Sequence, residues 1–423
     1  MSTFLAPVNY DRARELLYHL RDFTTYSPDT IESTISLLRQ YYPTIFSTMD
    51  CKQFNQHAIL LELQGSNSLE PLIFTAHFDS PTPSVSFSDS NRMTVPLSRA
   101  HFVALFESLD ALLLEGYRPG GDLFICLSFD ALSNGSGASS IADYLVFRNI
   151  NPCFVLSTGG YITKDAFRTF LAPGSSLALI GISEKGVIEG GLVADGIVSL
   201  RNGRKVRPLH ALLRRGSRFV SRPRKSSLTK SSEKLLQTLS KHAPYWRRIL
   251  VSYPKITFPI LRIKWRNRSV LKQFFQSERC IYAIKAEGEA QRVATKAWFG
   301  FRQTVLPNQS MEHAKESLKK LADHKELEIS FTHTSEGGAL SETTGDSYDA
   351  LQTAIEIQFD NVVISPCLSP FMTDARYYSH LSNRLYRFSP FVLSGKEALL
   401  GECLITNETL QTSVQFFRSM LSV

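Results

Sequence analysis

The sequence predicts an α/β fold: a mostly parallel sheet covered by helices, interrupted by a smaller α+β sandwich. Three observations predict it. Through residue 185, continuous apolar runs alternate with helical patterns, which is how strands buried on both faces of a parallel sheet read. From about Glu184 the texture changes to polar–apolar alternation in "KGVIEGGLVADGIVSL", as in half-exposed strands. After residue 334 the apolar strands return. The expected organisation is therefore a discontinuous α/β domain, 1–185 and 334–423, with an inserted lid at 186–333.

The elements follow in order. "DRARELLYHLRDF" spaces its apolar residues helically, and a second helix follows "SPDT", with Ser27 and Asp29 as caps. "AILLEL" and "PLIFTA" read as strands, "AHFVALFESLDALLLE" as a helix apolar on most faces, "DLFICLSF" as a strand and "ASSIADYLVFR" as a helix. "CFVLS" and "SLALIGI" complete the first half as strands. In the insert, "CIYAIKAEGEAQRVATKAWFGFRQTVLP" reads as two long strands, "SMEHAKESLKKLADHK" as a helix capped by Ser310, and "LEISFTHT" as a strand. The chain then returns through "YDALQTAIEIQF", "NVVISPCL" and a last helix near "ETLQTSVQFFRSML".

Composition narrows the classes. The chain of 423 residues is 43% hydrophobic, enough for two cores. No run of about 18 apolar residues suggests a membrane span, and the start "MSTFLAPVNYDRARELL" lacks the pattern of a signal peptide. Cys51, Cys126, Cys153, Cys280, Cys367 and Cys403 are scattered with no C-x-x-C pair. That suits reduced thiols in a cytoplasmic protein.

The net charge of +8 is uneven. Residues 201–272 hold 21 Lys and Arg against one acid, Glu233. Within this basic excursion, "VSRPRKSSLTKSS" is expected as a loop. Further on, Trp246, Tyr253, Phe258 and Trp265 interleave with bases such as Arg247, Arg248, Arg262 and Arg266. That mixture suits an anionic membrane surface or an acidic partner, single-stranded nucleic acid, or a solvated lid face.

Candidate chemistry begins at "FTAHFDSPTP", where a strand ends in His77-x-Asp79. The carboxyl end of such a strand faces the ligand crevice of an α/β sheet, and imidazole is a good zinc ligand. "TDARYYSHLSNRLYRFSPFVL" (Thr373–Leu393), "GGDLFICLSFDALSNGSGA", "CFVLSTGGYIT" and "ALIGISEKGVIEGGLVADG" occur in the order in which similar motifs occur in one family. Together they resemble the zinc metallopeptidases that include carboxypeptidase S, aminoacylase and glutamate carboxypeptidase. The resemblance implies a catalytic α/β domain with a lid, two zinc ions, hydrolysis of peptide or N-acyl amide bonds, and often a homodimer.

Carried over residue by residue, the resemblance implies a dismantled site. His77 matches the first ligand and Asp79 its companion. The bridging aspartate falls on Leu97 or Ser98 in "MTVPLSRAHF". The "D-E-E" triplet becomes Asp130, Ala131 and Leu132, which removes the general base and a ligand. The next carboxylate becomes Ser157, the last histidine falls near Leu404, and the lid histidine falls near Leu200, with only His210 in reach. The sequence therefore predicts a catalytically degenerate homologue: Asp79 and Asp130 are catalytic remnants, His77 is a remnant ligand, and no cofactor is expected. Arg376, Thr373, Asp374, Gly159 and Gly160 are the candidates for binding a carboxylate-bearing peptide or acyl-amino-acid-like ligand. The alternatives are an active hydrolase rearranged around His77, Asp79, Asp130 and His101, an anion site at the Gly-rich "NGSGA" turn, or a Ser–His pair using Ser98 or Ser133.

Overall fold

The computed structural model describes residues 8–20, 28–79, 86–89, 92–132, 135–199, 205–221, 226–265, 268–287, 294–322 and 327–423. They form two compact units: Met1–Ser183 with Lys230–Phe274 and Ala339–Val423, and Glu184–Thr229 with Phe275–Gly338.

The first unit is built on a nine-stranded sheet. Its spatial order is Asp50–Phe54, Ala58–Leu63, Leu123–Ser128, Leu72–His77, Phe154–Ser157, Leu385–Arg387, Ser176–Ser183 and Val362–Leu368, with Tyr161–Thr163 paired beside Ser176–Ser183. The four strands from Leu123–Ser128 to Leu385–Arg387 run parallel. Every residue of Leu72–His77 and of Leu123–Ser128 is buried, so both sheet faces need covers. One is the helix Leu97–Leu114, buried at every position but its last two. Such a helix needs apolar residues all round, as "AHFVALFESLDALLLE" predicts.

Two acids of that helix are buried as well. Glu107 accepts from Arg12 Nε and Nη2 at 2.9 and 2.7 Å, and from the Tyr42 hydroxyl at 3.0 Å. Asp110 accepts from Arg12 Nη1 at 2.7 Å. Removing the guanidinium strands both carboxyls without a counter-ion.

The second unit is a four-stranded antiparallel sheet, in the order Arg279–Glu287, Lys296–Val305, Gly186–Asp195 and Leu327–Ser335. The helices Pro208–Ser221 and Met311–Ala322 cover one face, over a core that includes Ile188, Leu192, Phe219, Phe299, Phe301 and Leu318. Ser310 Oγ accepts from His313 N at 3.3 Å, the cap its position predicts.

The basic excursion is mostly helical, through Pro208–Ser221, Lys230–His242, Tyr245–Ser252 and Pro254–Lys264. Within "VSRPRKSSLTKSS", expected as a loop, residues 226–229 carry no helix, and 222–225 lie outside the described residues. The excursion departs from the expected lid in that it divides, with Lys230–Phe274 in the first unit. The cause is packing: Leu235, Leu236 and Leu239 are fully buried where their helix meets Val362–Leu368, and Ser232 Oγ donates to Phe274 O at 2.7 Å. Ser27, Ser133, Leu200 and Arg266 lie outside the described residues. All six cysteines are free. No helix among the described residues is long and apolar enough to cross a membrane.

Arg12→Ala is expected to lower unfolding stability by about 3–5 kcal/mol, read by urea denaturation. A loss under about 1 kcal/mol would show that the acids are not held by Arg12.

Candidate functional site

The parallel strands bring their carboxyl ends side by side. His77 stands opposite Ser128 on one neighbour, and Thr75 opposite Ser157 on the other. This is the crevice position of an open α/β sheet.

His77 Nδ1 lies 3.0 Å from the carbonyl of Asp79 and 3.2 Å from its Oδ1. Both partners are acceptors, so Nδ1 carries the proton. Asp79 Oδ2 accepts from Leu132 N at 2.6 Å. Burial favours a neutral imidazole, but the Asp79 hydrogen bond and the charges of Asp79 and Asp374 outweigh it, so the His77 pKa is raised.

Asp130 turns elsewhere. It accepts from Ser136 Oγ at 2.8 Å and Gly137 N at 3.2 Å, and lies 3.7 Å from His57 Nδ1. It therefore caps the helix Ser136–Phe147. That overturns the expected anion site at "NGSGA", because a protein carboxylate already takes the helix N-terminus. His101 is buried, with Nδ1 3.0 Å from Ser389 Oγ and its ring edge-on to Phe417. Burial, then the neighbouring His77, pushes its pKa down to about 3. The rearranged quartet of His77, Asp79, Asp130 and His101 is not assembled: the last two are engaged by other partners. Among the described residues, no three His, Cys, Asp or Glu side chains converge to hold a metal ion.

The "TDARYY" segment closes the crevice as a short 3-10 helix, Asp374–His380. Thr373 caps it, its Oγ1 accepting from Ala375 N at 3.2 Å. Asp374 is buried and accepts from Ser128 Oγ. Burial, then Asp79, lifts its pKa to about 7 against the opposing pull of His77, Ser128 and Arg376. Arg376 donates from Nη2 to Ala131 O at 3.1 Å and lies over the Tyr377 ring at 4.8 Å. Gly160 passes so close to the Leu179 and Arg387 carbonyls that a Cβ would sit 2.1 and 2.4 Å from them. Gly159, at φ +130°, faces Thr373 and Ser369. Both glycines allow this backbone approach.

No family model matches the chain. The human N-fatty-acyl-amino acid synthase/hydrolase PM20D1 is 25% identical over 405 residues, spanning 88% of this chain and 79% of that protein. The probable carboxypeptidase S-like 2 of Dictyostelium discoideum is 23% identical over 399 residues, spanning 89% and 75%. Among solved structures, an M20 family metallo-carboxypeptidase from Sulfolobus solfataricus shares the fold from end to end. Its TM-score is 0.66 at 13% identity, covering 98% of this chain and 99% of that one. The chain is thus similar in sequence to the carboxypeptidase S/aminoacylase-type metallopeptidase family and shares its fold.

Within that family's fold, the donor set can be tested for two zinc ions. His77 is held as a metal-ligating imidazole would be, one ring nitrogen donating to a carboxylate. Its companions do not fit. Leu97 and Leu132 offer no side-chain donor, and Ala131 Cβ offers none. Ser157 Oγ accepts from Thr75 Oγ1 at 2.7 Å, a neutral pair where the family motif carries a carboxylate. Leu404 lies on a strand paired with Met93–Pro96. The positions matched to the family's ligands thus supply one imidazole and one carboxylate hydrogen-bonded to it, fewer donors than two zinc ions use.

Sequence reasoning passed over Arg99 and Ser128. Arg99 is buried and donates to Phe78 O at 3.2 Å and Leu20 O at 2.6 Å. Burial lowers its pKa to about 10, with the Asp79 charge opposing the shift. Its signal was a base in the first turn of a helix apolar on most faces, beside the bridging position. Ser128 had no signal beyond its place at a strand end.

Asp374 yields a pH test. Its folded pKa lies above its unfolded value, so the native state binds the proton more tightly and loses stability as pH rises through about 7. Raising the pH from about 5 to about 8 is expected to lower the melting temperature less in Asp374→Asn than in the wild type, by calorimetry. Equal falls would place the titration elsewhere.

Proposed function

We propose that this chain is a non-hydrolytic member of its family, a binding protein that keeps the fold and the carboxylate-gripping end of the cleft but not the dinuclear metal centre. One observation carries the reading: the carboxylate of Asp79 is taken by the His77 ring and by the backbone of Leu132, a residue standing where the family motif has an acid. Family hydrolysis calls for a metal-activated water and a base to take its proton. With Ala131 and Leu132 in the triplet, neither the base nor the missing ligand has a side chain to supply it.

What remains suits recognition. Arg376 is kept in "TDAR", a planar guanidinium matched to a carboxylate's two oxygens. Thr373, Asp374, Gly159 and Gly160 set the backbone around it. The proposed ligand is a small carboxylate-bearing molecule, a peptide or an N-acyl amino acid. The name of the human relative, a synthase/hydrolase of N-fatty-acyl amino acids, supports that class.

The test uses the purified chain in zinc-containing buffer with an N-acyl amino acid. Hydrolysis at the buffer rate is expected, with calorimetric binding weakened about tenfold or more by Arg376→Ala, the scale of a lost charged hydrogen-bond pair. Zinc-dependent amide hydrolysis that disappears in His77→Ala would overturn the reading.

A further inference from the structure

The basic segment carries a surface that the cleft does not use. Tyr245, Ile249, Tyr253, Ile256, Ile260 and Ile263 are 50–81% exposed. Their spacings of four, four, three, four and three residues fit a helical stripe, running through Tyr245–Ser252 and Pro254–Lys264. The stripe is not a frayed end: the same helices bury Val251, Pro254 and Leu261. Arg248, Lys255 and Arg262 recur at seven-residue spacing beside it and are themselves exposed.

A second feature adjoins. A groove of about 610 Å³ is lined by Arg168, Arg247, Lys264 and Arg268, with Phe167 and Trp265 among its apolar residues. The Trp265 ring meets Phe167 edge-on at 6.1 Å. A single acid, Asp165, joins the four bases there. Guanidinium forks in a concave, cation-rich setting suit a phosphate-bearing headgroup.

We propose that the helices Tyr245–Ser252 and Pro254–Lys264 form an interfacial anchor for an anionic lipid bilayer. The isoleucines and tyrosines enter the headgroup region, the flanking bases meet the lipid charge, and the neighbouring groove takes a headgroup phosphate. Exposed aliphatic residues decide for lipid: a soluble protein gains nothing from this stripe in water, whereas an amphipathic helix lying in a membrane interface needs one apolar face and one basic face. Nucleic acid would call for successive exposed rings on which to stack; the stripe has Tyr245 and Tyr253, but its other four residues are isoleucines, and Trp265 is buried. The inference stands apart from the cleft and from its ligand.

The test is co-sedimentation of the full chain with vesicles of phosphatidylcholine alone or mixed with phosphatidylserine. Binding to the mixed vesicles only is expected, weakening steeply toward ~0.5 M salt as exposed charges are screened. Ile256→Glu/Ile260→Glu should cost at least about tenfold in partitioning. Arg248→Glu/Lys255→Glu/Arg262→Glu should cost more, each base near the surface being worth about fivefold. Circular dichroism checks the fold of both variants, and the wild-type salt dependence stands if either misfolds. The proposal fails if the wild type ignores mixed vesicles at low salt, or if a folded isoleucine variant sediments as the wild type does. It fails too if the stripe instead holds a dimer, seen by light scattering and lost in that variant, or if an RNA oligonucleotide binds where vesicles do not.

Discussion

The site rests on how one carboxylate is used. Asp79 accepts from the His77 ring through one oxygen and from the Leu132 backbone through the other. The first bond is one a metal site also employs, since a ligating imidazole is oriented by an acceptor on its far nitrogen. The second ties the acid to the backbone of Leu132, whose own side chain is apolar.

The titratable groups of the crevice shift one another. Burial lifts Asp374 to about 7, and the raised pKa of His77 follows from its two acid neighbours. Arg99, buried near the start of its helix, interacts with the charge of Asp79. The crevice is a small set of coupled acids and bases held by neutral serines and threonines, such as Ser128 on Asp374 and Thr75 on Ser157.

Much of this was legible in the sequence. The buried strands announced themselves as unbroken apolar runs, and "HFD", "TDARYYSH" and "YRFSP" marked both ends of the crevice in a chain related to known proteins at only 25% identity or less. That Leu97 or Ser98, Leu132 and Ser157 stand where the family motifs carry acids was equally plain. What could not be read was direction. Asp130 looked like a site remnant because spacing says nothing of where a side chain turns; it caps a helix. Nor did the pattern show which unit the basic excursion joins: Leu235, Leu236 and Leu239 supply a stripe that docks on the sheet of the first unit.

The most direct measurement is zinc stoichiometry, by mass spectrometry on protein dialysed against zinc and then against metal-free buffer. No zinc retained in proportion to the chain is the expected result, because a single imidazole bound to its own aspartate leaves an ion nothing else to hold it. Two zinc ions retained per chain, and lost in His77→Ala, would contradict the account.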